Sequence, residues 1–294
     1  MNVIDKLKEV SAFLESKGIE DSAKEAELLI TETLKRELRV ESYELGVKER
    51  IYAGNIEISD EISRLIDSLA ERRAEGEPIQ YIIGHVDFYG LKIHVGRGVL
   101  IPRPETELLA EYAIKKLRSL ITDYPSPITV LDLCTGSGCI ALAIAKHLPE
   151  AIVYGIDKSE VAISYAKKNA EENQIKNVFF AVGNLFEPAR NLKFDCIVSN
   201  PPYIKTGDIP ALQKEIRDYE PVEALDCGED GLDFYRKIFN EAPDYLKESG
   251  MVILEIGYDQ SEEIKKLAVD AGFKQIEFIK DYAGIKRIFI GCRS

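Results

Sequence analysis

The sequence has no long apolar run and no excess of basic side chains. Its longest uninterrupted apolar stretches, such as residues 139–145, fall far short of the roughly 18 residues that cross a bilayer, so we expect no membrane-spanning segment. Acidic residues outnumber basic ones by 51 to 38, and the net charge of −13 disfavours nonspecific binding to nucleic acid or anionic lipid. Charge recurs every few residues from the N-terminus, which predicts no signal peptide.

Paired cysteines and clustered histidines are absent as well. The five cysteines form no CxxC pair, and His85, His94 and His147 lack the spacing of zinc ligands. We therefore expect reduced thiols, a cytoplasmic location and no metal site.

The composition that remains is that of a soluble globular protein, 294 residues long with 45% hydrophobic and 30% charged residues. Apolar residues recur at helical spacing from 3 to 73, and Gly18, Gly46 and Gly54 stand between the periodic stretches. This pattern predicts a small bundle of three to five helices. Short β-favouring runs at 81–83 and 91–95 predict a hairpin, and residues 105–120 an amphipathic helix.

From residue 129 onward, apolar strands alternate with helices, which is typical of a mostly parallel sheet covered by helices on both faces. The candidate strands are residues 129–133, 152–156, 178–182, 195–199, 251–256, 275–279 and 287–290. The connection between the last two is too short for a helical crossover, so we expect them to pair antiparallel and to place one reversed strand at the end of the sheet. The predicted fold class is α/β.

A glycine-containing turn follows the first of these strands and leads directly into a helix. Its residues are Cys134, Thr135, Gly136, Ser137 and Gly138. Glycine at such a turn lets the backbone approach a ligand closely and exposes the N–H groups of the helix N-terminus.

Asp157 ends the next strand, where a carboxylate can accept both hydroxyls of a ribose. Capping of the following helix is its alternative role. The turn lacks the third glycine of the dinucleotide fingerprint and the lysine of a phosphate-binding loop, which disfavours a pyrophosphate ligand. The segment 132–138 resembles motif I of class I S-adenosylmethionine-dependent methyltransferases, with Cys134 where glycine is common. That resemblance implies a Rossmann-like domain that binds S-adenosylmethionine.

An Asn-Pro-Pro-Tyr segment, formed by Asn200, Pro201, Pro202 and Tyr203, follows the fourth strand. Ligands of open α/β sheets bind outside the carboxyl ends of strands, so we expect this segment to face the same crevice as Gly136. The side-chain oxygen of Asn200 and the carbonyl of Pro201 can accept both hydrogens of an NH₂ group, with Tyr203 stacked on its plane. The segment therefore predicts a platform that orients a nitrogen lone pair toward a sulfonium methyl group; a structural proline turn is the alternative.

The Asn-Pro-Pro-Tyr segment is similar to the motif of methyltransferases that act on exocyclic amines of nucleobases and on glutamine amides. Further segments resemble the HemK/PrmC family of protein-(glutamine-N5) methyltransferases, which modify peptide-chain release factors. They are residues 78–81, 87–90, 99–107, 185–188, 219–221 and 228–235. The resemblance extends from about residue 75 to the end, and the helical first part agrees in size and class.

The resemblance implies roles for particular residues. The cofactor contacts of the family fall on residues 134–138, Asp157, Leu185 and Asn200, and its amide-binding motif falls on residues 200–203. Asn184 stands where the family often has aspartate, which removes an acidic contact near the adenine.

Three charged or polar residues at the start of the predicted helix at 105–120 are further candidates for the crevice wall. They are Arg103, Glu105 and Thr106, and helix capping is their alternative role.

The resemblance also implies a division of labour along the chain. Residues 1–75 are expected to form a helical substrate-recognition domain, 76–103 a β-hairpin connector, and 104–294 the methyltransferase domain. The expected partners are class 1 release factors, methylated at the glutamine of a Gly-Gly-Gln motif by a monomer that makes no direct contact with nucleic acid or membrane.

Three other functions stay open on the sequence alone. A nucleic-acid amine methyltransferase would share the Asn-Pro-Pro-Tyr segment but would need a basic surface or a target-recognition domain. Methylation of a glutamine in a ribosomal protein would use the same chemistry. A noncatalytic cofactor-binding module of translation would have no need of the acceptor platform.

Overall fold

The computed structural model describes residues 1–37, 56–121 and 127–293. The chain forms two compact units: Met1–Gly84 with Lys214–Tyr219, and His85–Gln213 with Glu220–Ser294. Among the described residues, no helix is both long enough and apolar enough to span a bilayer.

The first unit is a helical bundle, as the apolar spacing predicts. Its described helices are α1 (Val3–Ser16), α2 (Ser22–Glu37), α3 (Asp60–Ala74) and the short α4 (Ile79–Ile83). Of the glycines assigned to helix ends, Gly18 follows α1 with a φ of 83°, and Gly46 and Gly54 lie outside the described residues.

In α1 and α3 the buried apolar residues recur at the predicted helical spacing, whereas in α2 all of residues 29–34 are buried. Val3, Val10 and Leu14 of α1 are buried together with Ile66 of α3, whereas Leu65 is exposed. Arg73 is also buried, and its guanidinium is paired with Glu25 and Glu215, so its charge is compensated inside the bundle.

One element differs from the prediction: residues 81–83 are helical and not a strand. They belong to α4, which begins after Pro78 and ends at Gly84 with a φ of 79°. An apolar run this short has no readable period. Three residues of α4, Ile79, Ile82 and Ile83, instead fill the core of the bundle. The predicted hairpin does form, but from β1 (His85–Phe88) and β2 (Leu91–His94).

The second unit is built on a seven-stranded sheet, which confirms the predicted α/β class with a mostly parallel sheet. Its strands are β3 (Thr129–Leu133), β4 (Ile152–Asp157), β5 (Val178–Val182), β6 (Phe194–Ser199), β7 (Leu246–Glu255), β8 (Phe273–Lys280) and β9 (Lys286–Arg293). The helices along the same stretch are α5 (Pro104–Ile121), α6 (Cys139–His147), α7 (Glu160–Glu172), α8 (Lys214–Tyr219), α9 (Asp233–Tyr245) and α10 (Ser261–Asp270). Of these, α8 is grouped with the helical bundle.

The strand order is β5-β4-β3-β6-β7-β9-β8, with β3 at the point where the order reverses. The predicted antiparallel pairing of the last two strands is confirmed, and β9 is the one reversed strand. Its predicted place at the end of the sheet is wrong, since β9 lies between β7 and β8 and β8 forms the edge. After β7, helix α10 leads to β8, which leaves one strand position free beside β7. The chain then turns back, and β9 pairs between β7 and β8 with its central residues buried.

Candidate active site

The turn between β3 and α6 holds backbone conformations that only a few residue types adopt readily. Gly136 and Gly138 have φ values of 56° and 81°. A Cβ atom at Gly138 would lie 3.0 Å from Ala166 and 3.0 Å from the ring of Phe180, so the turn packs tightly against α7 and β5.

Cys134 also lies in the left-handed region, with a φ of 55°. This explains why glycine is common at the corresponding place in the family that the sequence resembles, since a side chain there costs roughly 1–2 kcal/mol of backbone strain. Burial raises the pKa of the Cys134 thiol, which keeps it protonated and unsuited to act as a nucleophile.

Asp157 stands at the carboxyl end of β4 and is bonded to the turn. Its Oδ2 accepts a hydrogen bond from Gly136 N at 2.9 Å, and its Oδ1 accepts one from Ser159 N at 2.9 Å. Ser159 itself caps α7 by accepting from Ala162 N. Burial raises the pKa of Asp157, and these backbone hydrogen bonds oppose the rise. The carboxylate has further lone pairs for a ligand beyond these bonds.

A cleft of about 480 Å³ opens beside the turn at the carboxyl ends of the parallel strands. Most of the residues assigned to the site from sequence line it: Cys134, Thr135, Gly136, Ser137, Asp157, Leu185, Asn200 and Pro202. Gly138, Pro201 and Tyr203 do not line the cleft but flank residues that do. Further walls come from residues that the sequence did not assign, among them Val99, Leu100, Ile140, Val161, Glu223 and Phe234.

Two of the remaining sequence candidates occupy the same cleft. Leu185 is buried with a φ of 47°, and the neighbouring Asn184 is exposed at the cleft wall, where its backbone N–H donates to Glu187. The structure thus brings the turn, the end of β4 and the segment after β5 around one space.

Asn200 directly follows β6 and is oriented by a hydrogen bond. Its Nδ2 donates to Thr106 Oγ1 at 3.1 Å. No described residue donates to Oδ1 of Asn200 or to the carbonyl of Pro201, so both oxygens keep their accepting capacity.

The residue that ends the Asn-Pro-Pro-Tyr segment is held in place by its neighbours. The carbonyl of Tyr203 accepts from Gln260 Nε2 at 3.0 Å, and the same nitrogen donates to Gly231 O at 2.9 Å. Gln260 Oε1 in turn accepts from Gly257 N at 3.0 Å, so this buried amide ties three loops together. Burial raises the pKa of the Tyr203 hydroxyl, which therefore stays neutral.

Among the three candidates at the start of the predicted helix at 105–120, only Thr106 lines the cleft. Arg103 instead pairs with the buried Glu220, whose other oxygen accepts from Ile101 N at 3.1 Å. This pair fixes the strand-like segment that forms one wall.

Glu255, at the end of β7, is a residue of this region that the sequence analysis did not single out. Its Oε2 accepts from Thr106 Oγ1 at 2.8 Å, and its Oε1 lies 3.5 Å from the hydroxyl of Tyr203. The sequence contains a signal that could have identified it, because Glu255 is the one charged residue in the apolar run 251–256. In the described part of the chain, no group of three or more His, Cys, Asp or Glu side chains is placed to hold a metal ion.

Comparison with known families agrees with this arrangement. The family described as a methyltransferase domain matches residues 126–282, and the family described as the PrmC N-terminal domain matches residues 5–84. In a solved structure, the Thermus thermophilus 16S rRNA N2 G1207 methyltransferase in complex with AdoMet and guanosine, the fold is similar with a TM-score of 0.51 at 20% identity. The similarity covers 71% of this chain and 50% of that one, and it shows the fold alone.

Curated relatives are much closer in sequence. A release factor glutamine methyltransferase of Thermodesulfovibrio yellowstonii is 54% identical over 83% of this chain and 86% of its own length. One of Geobacter sulfurreducens is 41% identical over 95% of this chain and 92% of its own length. With these identities over nearly the whole length, the chain belongs to the release factor glutamine methyltransferase family of S-adenosylmethionine-dependent enzymes.

Proposed function

We propose that the protein transfers a methyl group from S-adenosylmethionine to the side-chain amide N5 of the glutamine in the Gly-Gly-Gln motif of class 1 peptide-chain release factors. The observation that carries the proposal is the pair of free acceptors after β6, Asn200 Oδ1 and the carbonyl of the next residue, Pro201; Asn200 lines the cleft that Asp157 and the glycine turn also border. Two adjacent acceptors match the two hydrogens of a primary amide.

The residues present fit S-adenosylmethionine. A cleft of about 480 Å³ lies within the about 300–1,000 Å³ that small-molecule sites occupy. The carboxylate of Asp157 suits the hydroxyls of a ribose, and the apolar side chains of Val161 and Leu185 suit the faces of an adenine ring. The backbone of residues 134–138 would hold the methionine end.

When bound, S-adenosylmethionine supplies an electrophilic methyl group on a sulfonium. Asn200 and Pro201 accept the two N–H bonds of the substrate amide, which fixes the nitrogen and leaves its lone pair directed along the cleft. Accepting both bonds also increases the electron density on a nitrogen that amide resonance makes a poor nucleophile. Positioning of this kind contributes about 7 to 11 kcal/mol in well-oriented reactions.

The proposed step uses no general base. The neutral hydroxyl of Tyr203 is buried and does not abstract a proton, and its ring is available to stack beside the amide plane. The proton leaves to solvent after the methyl group has arrived.

We further propose that residues 1–75, with the connector 76–103, provide a second contact with the release factor. A glutamine flanked by glycines enters a narrow cleft easily but offers little contact area, so selection of the substrate needs additional surface. The enzyme is proposed to act as a monomer in the cytoplasm, without direct contact with nucleic acid.

Mass spectrometry of candidate substrates after incubation with the protein and S-adenosylmethionine tests the proposal. We expect a single methyl group on the Gly-Gly-Gln glutamine of purified release factors and none on ribosomal protein or RNA. Methylation of a ribosomal-protein glutamine alone would support the proposed reaction on a glutamine amide but contradict release factors as the substrate. Methylation of RNA alone would contradict the proposed function.

A further inference from the structure

A chain of hydrogen bonds links the cleft to a buried carboxylate. Asn200 Nδ2 donates to Thr106 Oγ1 at 3.1 Å, and Thr106 Oγ1 donates to Glu255 Oε2 at 2.8 Å. Thr106 and Glu255 are each only 2% exposed, so water does not compete for these bonds. The three residues come from three separate elements: the segment after β6, the first turn of α5 and the end of β7.

The direction of each bond follows from the number of hydrogens available. An ionised carboxylate only accepts, and a hydroxyl carries one hydrogen. The hydrogen of Thr106 is therefore committed to Glu255, and Thr106 meets Asn200 with a lone pair. Only the NH₂ side of the Asn200 amide can satisfy that lone pair, so the amide must turn its Oδ1 away from Thr106.

We propose that Glu255 acts through Thr106 as a positioning residue that fixes the orientation of the Asn200 amide, with its oxygen presented to the substrate. This inference rests on the proposed function, in which Asn200 Oδ1 accepts an N–H bond of the substrate glutamine. Asn200 touches the substrate, whereas Thr106 and Glu255 act only through it.

The surroundings of Glu255 make its charge sensitive to pH. Burial raises the pKa of Glu255 to about 7, an effect to which the negative charge of Glu105 adds. The hydrogen bonds from Thr106 and Tyr203 and the positive charge of Arg287 oppose the rise. The other titratable groups that face this carboxylate are the thiol of Cys139 and the hydroxyl of Tyr235, which donates to Glu255 O at 2.9 Å.

Protonation of Glu255 at Oε2, the oxygen with the closer partner, reverses the chain of bonds. A protonated Glu255 donates its own hydrogen to Thr106, and the hydrogen of Thr106 becomes available to the oxygen of Asn200. The Asn200 amide then rotates and presents its NH₂ group to the cleft. The N–H groups of the substrate amide would face this donor and lose the oxygen that accepts from them. The active arrangement therefore exists above a pH of about 7 and is lost as the pH falls below it.

The test is the pH dependence of kcat between about pH 6 and 9, with S-adenosylmethionine and intact release factor saturating. In the wild type we expect kcat to fall with a one-proton slope below a pH of about 7. Thr106→Val and Glu255→Gln should both abolish this dependence, whereas Thr106→Ser, which keeps the hydroxyl, should retain it. Thr129→Val, the same change at a threonine that does not line the cleft, is the matched control and should also retain it.

The size of the effect separates positioning from a general loss of structure. Thr106→Val should lower kcat at high pH about tenfold while the KM for S-adenosylmethionine changes less than about twofold. A Thr106→Val enzyme with kcat within about twofold of the wild type, or with the wild-type pH dependence, would overturn the inference.

A second measurement is made on the wild-type protein, and a variant is needed only to assign the resonance. The side-chain amide resonance of Asn200 in ¹⁵N-labelled wild type, assigned with Asn200→Asp, should shift between pH 6 and 9 with a midpoint at a pH of about 7. A resonance that does not move would overturn the positioning role even if the enzyme is active. Absence of methyl transfer to glutamine by the wild type at every pH would instead overturn the proposed function, and with it this inference.

Discussion

At the scale of single residues, two side chains at strand ends, Asp157 and Asn200, make internal hydrogen bonds and leave other polar atoms at the cleft. Asp157 accepts with both oxygens to hold the glycine turn and the start of α7, and has further lone pairs for a ligand. Asn200 uses its NH₂ group for Thr106 and keeps its oxygen. In both cases the internal bond determines which atoms face the cleft.

Asp157→Ala should weaken binding of S-adenosylmethionine by roughly 1.5 to 3 kcal/mol, because two hydroxyl groups lose their charged acceptor. Isothermal titration calorimetry measures the change. Asp270→Ala, at an exposed position at the end of α10, is the matched control and should leave the affinity unaltered. Unchanged affinity in a folded Asp157→Ala protein would refute the ribose-binding role.

Asn200→Ala should lower kcat about 100-fold, since removal of one polar contact made in the transition state typically costs this much. Binding of S-adenosylmethionine should change far less, because the lost acceptor matters most when the amide becomes the nucleophile. Single-turnover kinetics, with calorimetry for the affinity, distinguish the two effects. Turnover within about twofold of the wild type would contradict the platform.

At the scale of elements, α7 attaches the hairpin to the glycine turn between β3 and α6. Asn169 is fully buried, accepts from His94 N at 2.7 Å and donates to His94 O and to Ser137 O. One turn later, Asn173 makes a similar pair of bonds to the backbone of Lys92, but at the surface. The side chain of Asn169 therefore fixes the positions of strand β2 and of the turn after β3 relative to helix α7.

Asn169→Ala should lower the free energy of unfolding by about 2 to 4 kcal/mol, because it leaves several buried backbone groups without partners. Asn173→Ala removes comparable bonds where water can replace them, and should cost less than about 1 kcal/mol. Urea denaturation of the two variants makes the comparison. Equal losses would show that the buried amide does not hold the hairpin to the turn.

At the scale of the whole molecule, the chain divides its core between a helical bundle and an α/β unit. The chain crosses from one unit to the other more than once, because α8 is grouped with the bundle while the residues on both sides of it belong to the other unit. Three apolar residues of α4, namely Ile79, Ile82 and Ile83, also belong to the core of the bundle. A truncation that removes the bundle must therefore remove α4 as well.

Deletion of residues 1–84 should leave binding of S-adenosylmethionine within about threefold of the full chain, because the described residues that line the cleft all belong to the other unit. Transfer to intact release factor should fall sharply, by about 100-fold in kcat/KM, if the bundle supplies the second contact. A short Gly-Gly-Gln peptide should be a poor substrate for both forms.

Calorimetry of cofactor binding shows whether the truncated protein is folded, and methyl transfer to the two substrates gives the kinetics. Equal kcat/KM values on the intact release factor for the folded truncated enzyme and the full chain would contradict a recognition role for the bundle.

The sequence by itself determined the features that depend on local pattern. Helical spacing located α1 and α3, and apolar runs located all seven strands of the sheet. Because the carboxyl ends of parallel strands share one edge, the order of strand, turn and strand was enough to gather Gly136, Asp157 and Asn200 around one cleft.

Only the tertiary structure decided features that depend on distant parts of the chain. Residues 81–83 are helical because Ile82 and Ile83 pack in the core of the bundle. Strand β9 lies inside the sheet because the chain returns beside β7. The bond between Thr106 and Glu255 joins residues 149 positions apart. No periodicity or motif predicts such a contact. Its free energy comes from burial and from the absence of competing water, which exist only after the chain has folded.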